Sequence, residues 1–208
     1  MADPRPEIVL VRHGETEWSR TGKHTGRTDV PLTEEGRRRA ELLHGPLSER
    51  RFTRVLTSPL SRAADTCRLA GLGDAAEPRD ELLEWDYGDY EGRTTPEIRE
   101  ERPDWSLWRD GCPGGEEAGE VGARVDRVID ELQGLEGDAA LFAHGHVLRV
   151  LAARWIELGP EQGARLVLST ASLSVLGWER ETRALRLWNA QPEAVAKRER
   201  ERSSLPAS

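Results

Sequence analysis

Three short apolar segments of the sequence each end in residues that could bind or attack a phosphoryl group. The segments are residues 8–11, 55–57 and 139–143, and their apolar content predicts buried strands. In open α/β sheets, ligands bind beyond the carboxyl ends of the strands. We therefore expect two arginines and two histidines to meet at one end of a sheet: Arg12, His13, Arg62 and His144.

The residue types in this cluster suit phosphoryl transfer through a covalent intermediate. Arginine presents planar N–H donors that match phosphate oxygens, and a neutral imidazole is a competent nucleophile toward phosphorus. Arg12 and Arg62 would disfavour the charged form of His13 and keep its lone pair available. His144, if protonated, would donate to the phosphoryl oxygens, and Gly145 would let the backbone approach the ligand closely.

Glu84 is the carboxylate best placed to protonate the leaving alkoxide. It follows Leu82 and Leu83, which we interpret as the end of an extended segment, and a carboxylic acid is the natural donor to an alkoxide. An acidic pH optimum is the expected consequence. No set of Asp, His and Glu residues shows metal-ligand spacing, and Cys67 and Cys112 form neither a disulfide framework nor a zinc site. We therefore predict no metal and no cofactor.

Strands that alternate with helices predict an α/β fold, with a mostly parallel central sheet and helices on both faces. Residues 1–192 are predicted to form a single domain, and the charged residues 193–208 to form a disordered tail. Residues 14–29 are predicted to form a long functional loop. Three helices are predicted to begin at Thr33, at Ser58-Pro59 with Ser58 as the N-cap, and at Thr95-Pro96. Two more are predicted to span residues 116–135 and 147–158. Residues 172–178 and 184–188 are predicted to form a hairpin.

The composition argues against several classes of function. The chain has 208 residues and a formal net charge of -8, whereas proteins that bind nucleic acid or anionic membranes carry a basic excess. No stretch approaches the roughly 20 apolar residues needed to span a bilayer, and residues 1–7 do not have the pattern of a signal peptide. We therefore predict a cytoplasmic protein that acts on a small phosphate ester and binds neither nucleic acid nor membrane.

The strings around these residues resemble the histidine phosphatase superfamily, which includes the cofactor-dependent phosphoglycerate mutases. Arg-His-Gly alone would be a weak match, but further motifs occur in the family's order between about residues 8 and 150. They are Leu10-Val11-Arg12-His13-Gly14-Glu15-Thr16; Thr25-Gly26, Thr28-Asp29 and Pro31-Leu32-Thr33; Ser58-Pro59-Leu60-Ser61-Arg62-Ala63 with Thr66; Glu84-Trp85-Asp86-Tyr87-Gly88 with Glu91-Gly92; and His144-Gly145 with Arg149.

The resemblance implies a phosphoglycerate mutase-like three-layer sandwich and a role for each matching residue. His13 would be the phosphorylated nucleophile, and Glu84 would donate a proton and later activate water. The implied phosphate pocket consists of Arg12, Arg62 and His144, and the implied substrate contacts are Arg12, Ser19, Thr25, Gly26, Arg62, Glu84, Gly145 and His146. Relatives of this kind are often homodimers or homotetramers.

Four longer segments resemble one subgroup, which contains actinobacterial acid phosphatases and the fungal sedoheptulose-bisphosphatase. They are Thr16-Glu17-Trp18-Ser19, residues 84–92, Trp108-Arg109-Asp110-Gly111-Cys112 and Ala143-His144-Gly145-His146. The expected activity is therefore that of a metal-independent phosphatase for sugar phosphates or a broad range of small esters. A sugar bisphosphatase, a phosphoglycerate mutase and a non-catalytic phospho-ligand binding module stay open as alternatives. Mutase activity is disfavoured because His146 replaces the usual Asn after His-Gly, and because no Lys followed by an Arg-Arg pair lies between Gly92 and Pro113.

Overall fold

A six-stranded sheet runs through the computed structural model, which describes residues 5–192. The first four strands in spatial order are parallel, and each of the last two is antiparallel to the strand before it. The tail predicted at residues 193–208 lies outside the described residues. In spatial order the strands are β3 (Ala76–Pro78), β2 (Arg54–Thr57), β4 (Ala139–Ala143), β1 (Ile8–Arg12), β5 (Leu173–Glu179) and β6 (Thr182–Ala190).

Helices cover both faces of this sheet. They are α1 (Glu17–Thr21), α2 (Glu34–Leu42), α3 (His44–Ser48), α4 (Ser61–Leu69), α5 (Thr95–Glu101), α6 (Leu107–Asp110), α7 (Ala118–Gln133) and α8 (Gly145–Trp155). Successive side chains of a strand point to opposite faces, so Ile8 and Leu10 pack in the core shared with α7 and α8. Val9 and Val11 pack in the core shared with α3 and α4. The predicted mostly parallel sheet between two helical layers is confirmed.

Several predicted elements form because their local signals are present. The Thr33 hydroxyl accepts a hydrogen bond from Gly36 N at 3.0 Å and begins α2. Helix α5 begins at Thr95 behind the N-cap Thr94, which forms a capping box with Glu97. Residues 116–135 contain α7, and the predicted hairpin forms from β5 and β6.

The prediction that Ser58-Pro59 opens a helix is wrong. Helix α4 begins at Ser61 behind the N-cap Leu60, which provides no side-chain cap. The hydroxyl of Ser58 is instead 2.7 Å from Nε2 of His144. The Ser58 hydroxyl therefore bonds to the buried His144 ring and does not cap a helix. The sequence pattern around Ser58 does not reveal this long-range partner.

Three other boundaries differ from the prediction. The extended segment expected to end at Leu82-Leu83 ends at Pro78, and Asp80–Leu82 forms a 3-10 turn. The predicted loop at residues 14–29 contains α1, which is held by a capping box between Thr16 and Ser19. Helix α8 begins at Gly145, two residues before the predicted start, and therefore follows β4 almost directly.

Arg124 of α7 anchors the segment that carries Glu84. Its guanidinium is buried and donates to the carbonyl oxygens of Glu81, Leu83 and Glu84, at 2.6, 2.7 and 3.2 Å. The same guanidinium pairs with the Glu116 carboxylate at 2.8 Å. This segment has little regular structure of its own, so Arg124 supplies much of its fixed geometry.

Replacing Arg124 with Met should lower the free energy of unfolding by about 3 kcal/mol, because it leaves three carbonyls and the Glu116 carboxylate without their donor. Arg127→Met is the matched control on the same helix, since Arg127 is largely exposed, and should change stability by less than about 0.5 kcal/mol. Urea unfolding of both variants measures the difference. Equal stabilities for the two variants would contradict the anchoring role.

Candidate active site

A cavity of about 180 Å³ lies at the carboxyl ends of β1 and β4. Seven of the residues predicted from sequence line it, namely Arg12, His13, Ser19, Thr25, Glu84, Gly145 and His146. Six further lining residues were not predicted as site residues, namely Gly22, Lys23, His24, Tyr87, Arg149 and Leu168. Arg62, His144 and Gly26 are not among the lining residues.

His13 is held as a neutral imidazole with one defined tautomer. Its side chain is buried, and Nδ1 is 2.6 Å from the Gly14 carbonyl oxygen. A carbonyl oxygen only accepts, so Nδ1 carries the proton and Nε2 keeps its lone pair. Nε2 forms no hydrogen bond with residues 5–192. Burial, with the charges of Arg12 and Arg62, holds the pKa of His13 well below 6.5, as the sequence predicted.

Arg12 is packed tightly at the base of the cavity. One of its terminal N–H groups donates to the Leu168 carbonyl oxygen, whereas its buried Nε has no hydrogen-bond partner among residues 5–192. A Cβ atom at Gly145 would lie 3.3 Å from the guanidinium carbon. Gly145 therefore lets the start of α8 approach this cation closely, whereas the close approach to a ligand expected from the sequence stays a prediction.

Arg62 is fully buried and organises the back of the site. Its Nε–H donates to Nδ1 of His144 at 3.0 Å. Its terminal N–H groups donate to the carbonyl oxygens of Thr25, Gly26 and Thr28 at 2.9 to 3.1 Å. Arg62 thus fixes both the second histidine and the loop at residues 25–28.

His144 is also neutral, in the tautomer opposite to that of His13. Arg62 can only donate, so Nδ1 of His144 accepts, and the ring proton lies on Nε2 and is donated to Ser58 Oγ at 2.7 Å. Burial and the charge of Arg62 hold the pKa of His144 well below 6.5. The two imidazole centroids are 5.2 Å apart. The sequence predicted that His144 would donate to phosphoryl oxygens if it were protonated. The protonated form is disfavoured, and the one N–H of the neutral ring is donated to Ser58.

Glu84 lies against the N-terminus of α8. Its two carboxylate oxygens accept hydrogen bonds from the backbone N–H groups of Trp85, His146 and Val147 at 2.9 to 3.0 Å. Negative charge is favourable at a helix N-terminus, where N–H groups have no intrahelical partner. The carboxylate is buried and lines the cavity beside His13.

The loop at residues 25–28 is clamped from its other side by Glu91. The Glu91 carboxylate accepts from Gly26 N at 2.9 Å and from Thr28 N at 3.1 Å. Gly26 therefore directs its N–H to Glu91 and lies outside the cavity lining, away from the substrate contact that the sequence predicted. A Cβ atom at Gly26 would lie 2.7 Å from both Glu91 Oε2 and the Trp85 carbonyl oxygen, so the packing leaves no room for a side chain.

Ser19 and Thr25 line the cavity, but part of their hydrogen bonding is used within the protein. Ser19 Oγ accepts from Thr16 N at 2.9 Å and is also 3.0 Å from the Thr16 carbonyl oxygen. Thr25 Oγ1 donates to the Lys23 carbonyl oxygen at 3.1 Å. Each hydroxyl oxygen still has acceptor capacity for a ligand donor.

The unpredicted lining residues form an aromatic and cationic wall. His24 lies 4.7 Å from Tyr87 and 6.2 Å from His146, measured between ring centroids. Arg149 stacks over Trp108, with its guanidinium carbon 4.6 Å from the ring centroid. Arg149 belongs to the motif that begins at His144, but no role was predicted for it. It lies three residues after His146 on α8, and this spacing, which places both on one helix face, could have indicated that it lines the cavity.

Within residues 5–192, no group of three or more His, Cys, Asp and Glu side chains is arranged to hold a metal ion. The charge at the cavity comes from arginine, lysine and glutamate side chains instead. None of the helices in this part of the chain is long and apolar enough to cross a bilayer.

Comparison with known proteins identifies one family whose model spans nearly all of the described residues. The family model for the histidine phosphatase superfamily (branch 1) matches residues 8–191. An acid phosphatase of Mycobacterium tuberculosis is 44% identical over 182 residues, which cover 86% of this chain and 89% of that protein. A sedoheptulose 1,7-bisphosphatase of Saccharomyces cerevisiae is 40% identical over 190 residues, which cover 76% of this chain and 70% of that protein.

The fold agrees with a solved structure as well. The product of an open reading frame of Mycobacterium tuberculosis is 41% identical to this chain, with a TM-score of 0.86 over 90% of this chain and 98% of that one. The family match spans both strand ends and the segment of Glu84, so it includes every residue that surrounds the cavity. These relatives support phosphatase activity, and the chain belongs to the histidine phosphatase superfamily.

Proposed function

We propose that this chain is a metal-independent phosphatase that hydrolyses small phosphate esters through a phosphohistidine on Nε2 of His13. The state of His13 carries this proposal. Its ring is neutral, its Nδ1–H is held by the Gly14 carbonyl, and its Nε2 is unpaired in a cavity that also contains Arg12 and Glu84. The matching family and the acid phosphatase relative support the same class of reaction.

The phosphoryl group would bind first to Arg12. One terminal nitrogen of Arg12 donates to Leu168, whereas the other, Nη2, forms no hydrogen bond with residues 5–192, and Arg12 lines the cavity. A phosphoryl oxygen would accept a charge-assisted hydrogen bond from this free terminal N–H group. The charges of Arg12 and Arg62 would then stabilise the negative charge that spreads over the equatorial oxygens in the transition state.

In the first step, Nε2 of His13 attacks phosphorus, so that a P–N bond forms and the P–O bond to the alcohol breaks. The Glu84 carboxyl gives its proton to the departing oxygen, and the alcohol leaves neutral. The imidazole gains positive charge during this step. Its Nδ1–H remains on the Gly14 carbonyl oxygen, which stabilises that charge.

In the second step, the Glu84 carboxylate takes a proton from a water molecule whose oxygen attacks phosphorus. The P–N bond breaks, orthophosphate leaves, and His13 returns to its neutral form with Glu84 protonated. The Arg62–His144–Ser58 chain of hydrogen bonds holds the second imidazole next to the reacting group through both steps.

The cavity suits a small, polar substrate. Its volume of about 180 Å³ is below that of pockets for drug-sized ligands, and its wall combines aromatic rings with hydrogen-bonding groups. A sugar phosphate or another small metabolite ester fits this description. The single domain at residues 1–192, the homodimer or homotetramer and the cytoplasmic location stay predictions.

A sugar bisphosphatase is the second candidate function, and two cations favour it. Lys23 and Arg149 line the cavity in addition to Arg12, and either could pair with a second phosphate. The sedoheptulose 1,7-bisphosphatase relative is consistent with this candidate. A non-catalytic binding module is disfavoured, since such a protein would not need His13 and Glu84 together.

Replacing His13 with Gln should lower turnover by about 10⁴-fold or more, because the covalent route loses its nucleophile. His44→Gln is the matched control, since His44 is exposed on α3, and should retain normal turnover. Rapid alkaline quench of ³²P-labelled reactions should trap a phosphoenzyme in the wild type and in His44→Gln alone, and later acidification should release its label. Near-normal turnover or labelling in His13→Gln would contradict the phosphohistidine.

The pH dependence of the reaction should reflect the lowered pKa of His13. An imidazole with an ordinary pKa is mostly protonated below about pH 6.5, whereas burial and two guanidiniums keep this one neutral. The nucleophile stays available as the pH falls, so kcat/KM should show no loss between about pH 6.5 and 5.5. A tenfold loss per pH unit that begins near 6.5, and that remains after correction for the substrate's own ionisation at about pH 6, would show that the histidine titrates normally.

A substrate panel separates the two candidate functions. If Lys23 and Arg149 bind a second phosphate, kcat/KM for fructose 1,6-bisphosphate should exceed that for fructose 6-phosphate by about tenfold or more, and Arg149→Gln should remove the preference. Similar values for both substrates would favour a monoesterase. The panel is run with and without EDTA, and loss of all turnover on chelation would contradict metal independence.

A further inference from the structure

Tyr87 and His146 form a hydrogen-bonded pair in the cavity wall. The Tyr87 hydroxyl is 2.5 Å from Nδ1 of His146, and the Tyr87 side chain is almost fully buried. The backbone N–H of His146 donates to Glu84 at 3.0 Å. The pair is therefore linked by this hydrogen bond to Glu84, the proposed proton donor, and lines the cavity beside it.

The hydroxyl is the donor in this pair. Within residues 5–192 His146 is its one hydrogen-bond partner, so a hydroxyl that only accepted would leave its own hydrogen buried and unpaired. Burial and the Glu84 charge raise the pKa of Tyr87 well above 10, and burial and Arg149 hold the pKa of His146 well below 6.5. Near neutral pH a phenol therefore donates to a neutral imidazole.

This arrangement leaves one N–H on His146, at Nε2. Nε2 forms no hydrogen bond with any residue in 5–192, and the side chain is 22% exposed and lines the cavity. The rings of His24, Trp85 and Trp108 surround it, with centroids 6.2, 6.3 and 5.3 Å away. Those rings pack around the imidazole, and none of them forms a hydrogen bond with Nε2.

We propose that Tyr87 is a positioning residue that holds His146 with its one N–H at Nε2, and that His146 thereby selects phosphate esters of polyols and sugars. The Nε2–H would donate to a hydroxyl or ring oxygen of the alcohol part, next to the oxygen that Glu84 protonates. Esters of simple aromatic alcohols have no such acceptor. This inference rests on the proposed phosphatase function, since it assigns the specificity of that cavity.

Nitrogen NMR of the resting protein tests the tautomer directly. With ¹⁵N-labelled histidine, His146, identified by the loss of its signals in His146→Gln, should show a protonated Nε2 and an unprotonated Nδ1 near neutral pH. In Tyr87→Phe the Nδ1 loses its donor, and its signal should move toward a mixture of tautomers. A protonated Nδ1 in the wild type would overturn the inference without any variant.

Kinetics test the selectivity. Tyr87→Phe should lower kcat/KM for glucose 6-phosphate about tenfold, the cost of one well-placed hydrogen bond, and should change kcat/KM for phenyl phosphate less than about twofold. Tyr90→Phe is the matched control, because the buried Tyr90 hydroxyl accepts from Arg102 and does not line the cavity. It should leave both substrates unaffected.

An equal loss for both substrates in Tyr87→Phe would overturn the selective role and indicate general damage to the site. If Tyr87→Phe does not fold, His146→Phe replaces it, since this variant keeps an aromatic ring and removes the N–H, and the same selective loss is expected. Failure of the wild type to hydrolyse either ester would contradict the proposed function. The NMR result would still report the tautomer, so the two failures are distinguishable.

Discussion

The site depends on burying guanidinium groups directly beside imidazole rings. Arg62 is fully buried, and the Arg12 Nε is sealed from solvent without a partner in the described part of the chain. Burial of both imidazoles, together with the neighbouring guanidinium charges, lowers the pKa values of His13 and His144 and holds both rings neutral. The neutral ring of His13 can therefore act as a nucleophile, and the positive charge of Arg12 favours an anionic ligand.

The two histidines follow strands of the central sheet, whereas loops carry much of the cavity lining. His13 follows β1 and His144 follows β4, and these two strands are paired neighbours in the centre of the sheet. The loop at residues 25–28 is clamped between the Arg62 donors on one side and Glu91 on the other. Arg124 and the N-terminus of α8 fix the segment of Glu84. Positions close to the chemistry are thus over-determined by hydrogen bonds, which preorganises the site.

Sequence reasoning located the strand ends well because a strand end is a local feature. Short apolar runs before Arg12 and His144 predicted both positions and the end of the sheet where they meet. Ser58 was misassigned because its preference for a helix N-cap is local, whereas its bond to His144 spans 86 residues. Gly26 matched a motif, but only the structure shows that its N–H donates to Glu91. The sequence around Tyr87 likewise did not predict its hydrogen bond with His146, which lies 59 residues later.

The central claim is that His13 stays neutral, with its proton on Nδ1 and its lone pair on Nε2, because it is buried and the guanidiniums of Arg12 and Arg62 flank it. A ¹⁵N NMR titration of the histidines in the intact protein, with His13 identified from the spectrum of His13→Gln, measures this directly. The account predicts a protonated Nδ1 and an unprotonated Nε2 that persist from about pH 7.5 down to about pH 5.5, a full unit below the ordinary imidazole pKa. Protonation of both nitrogens with a midpoint near 6.5, or a proton on Nε2 in the neutral ring, would contradict it.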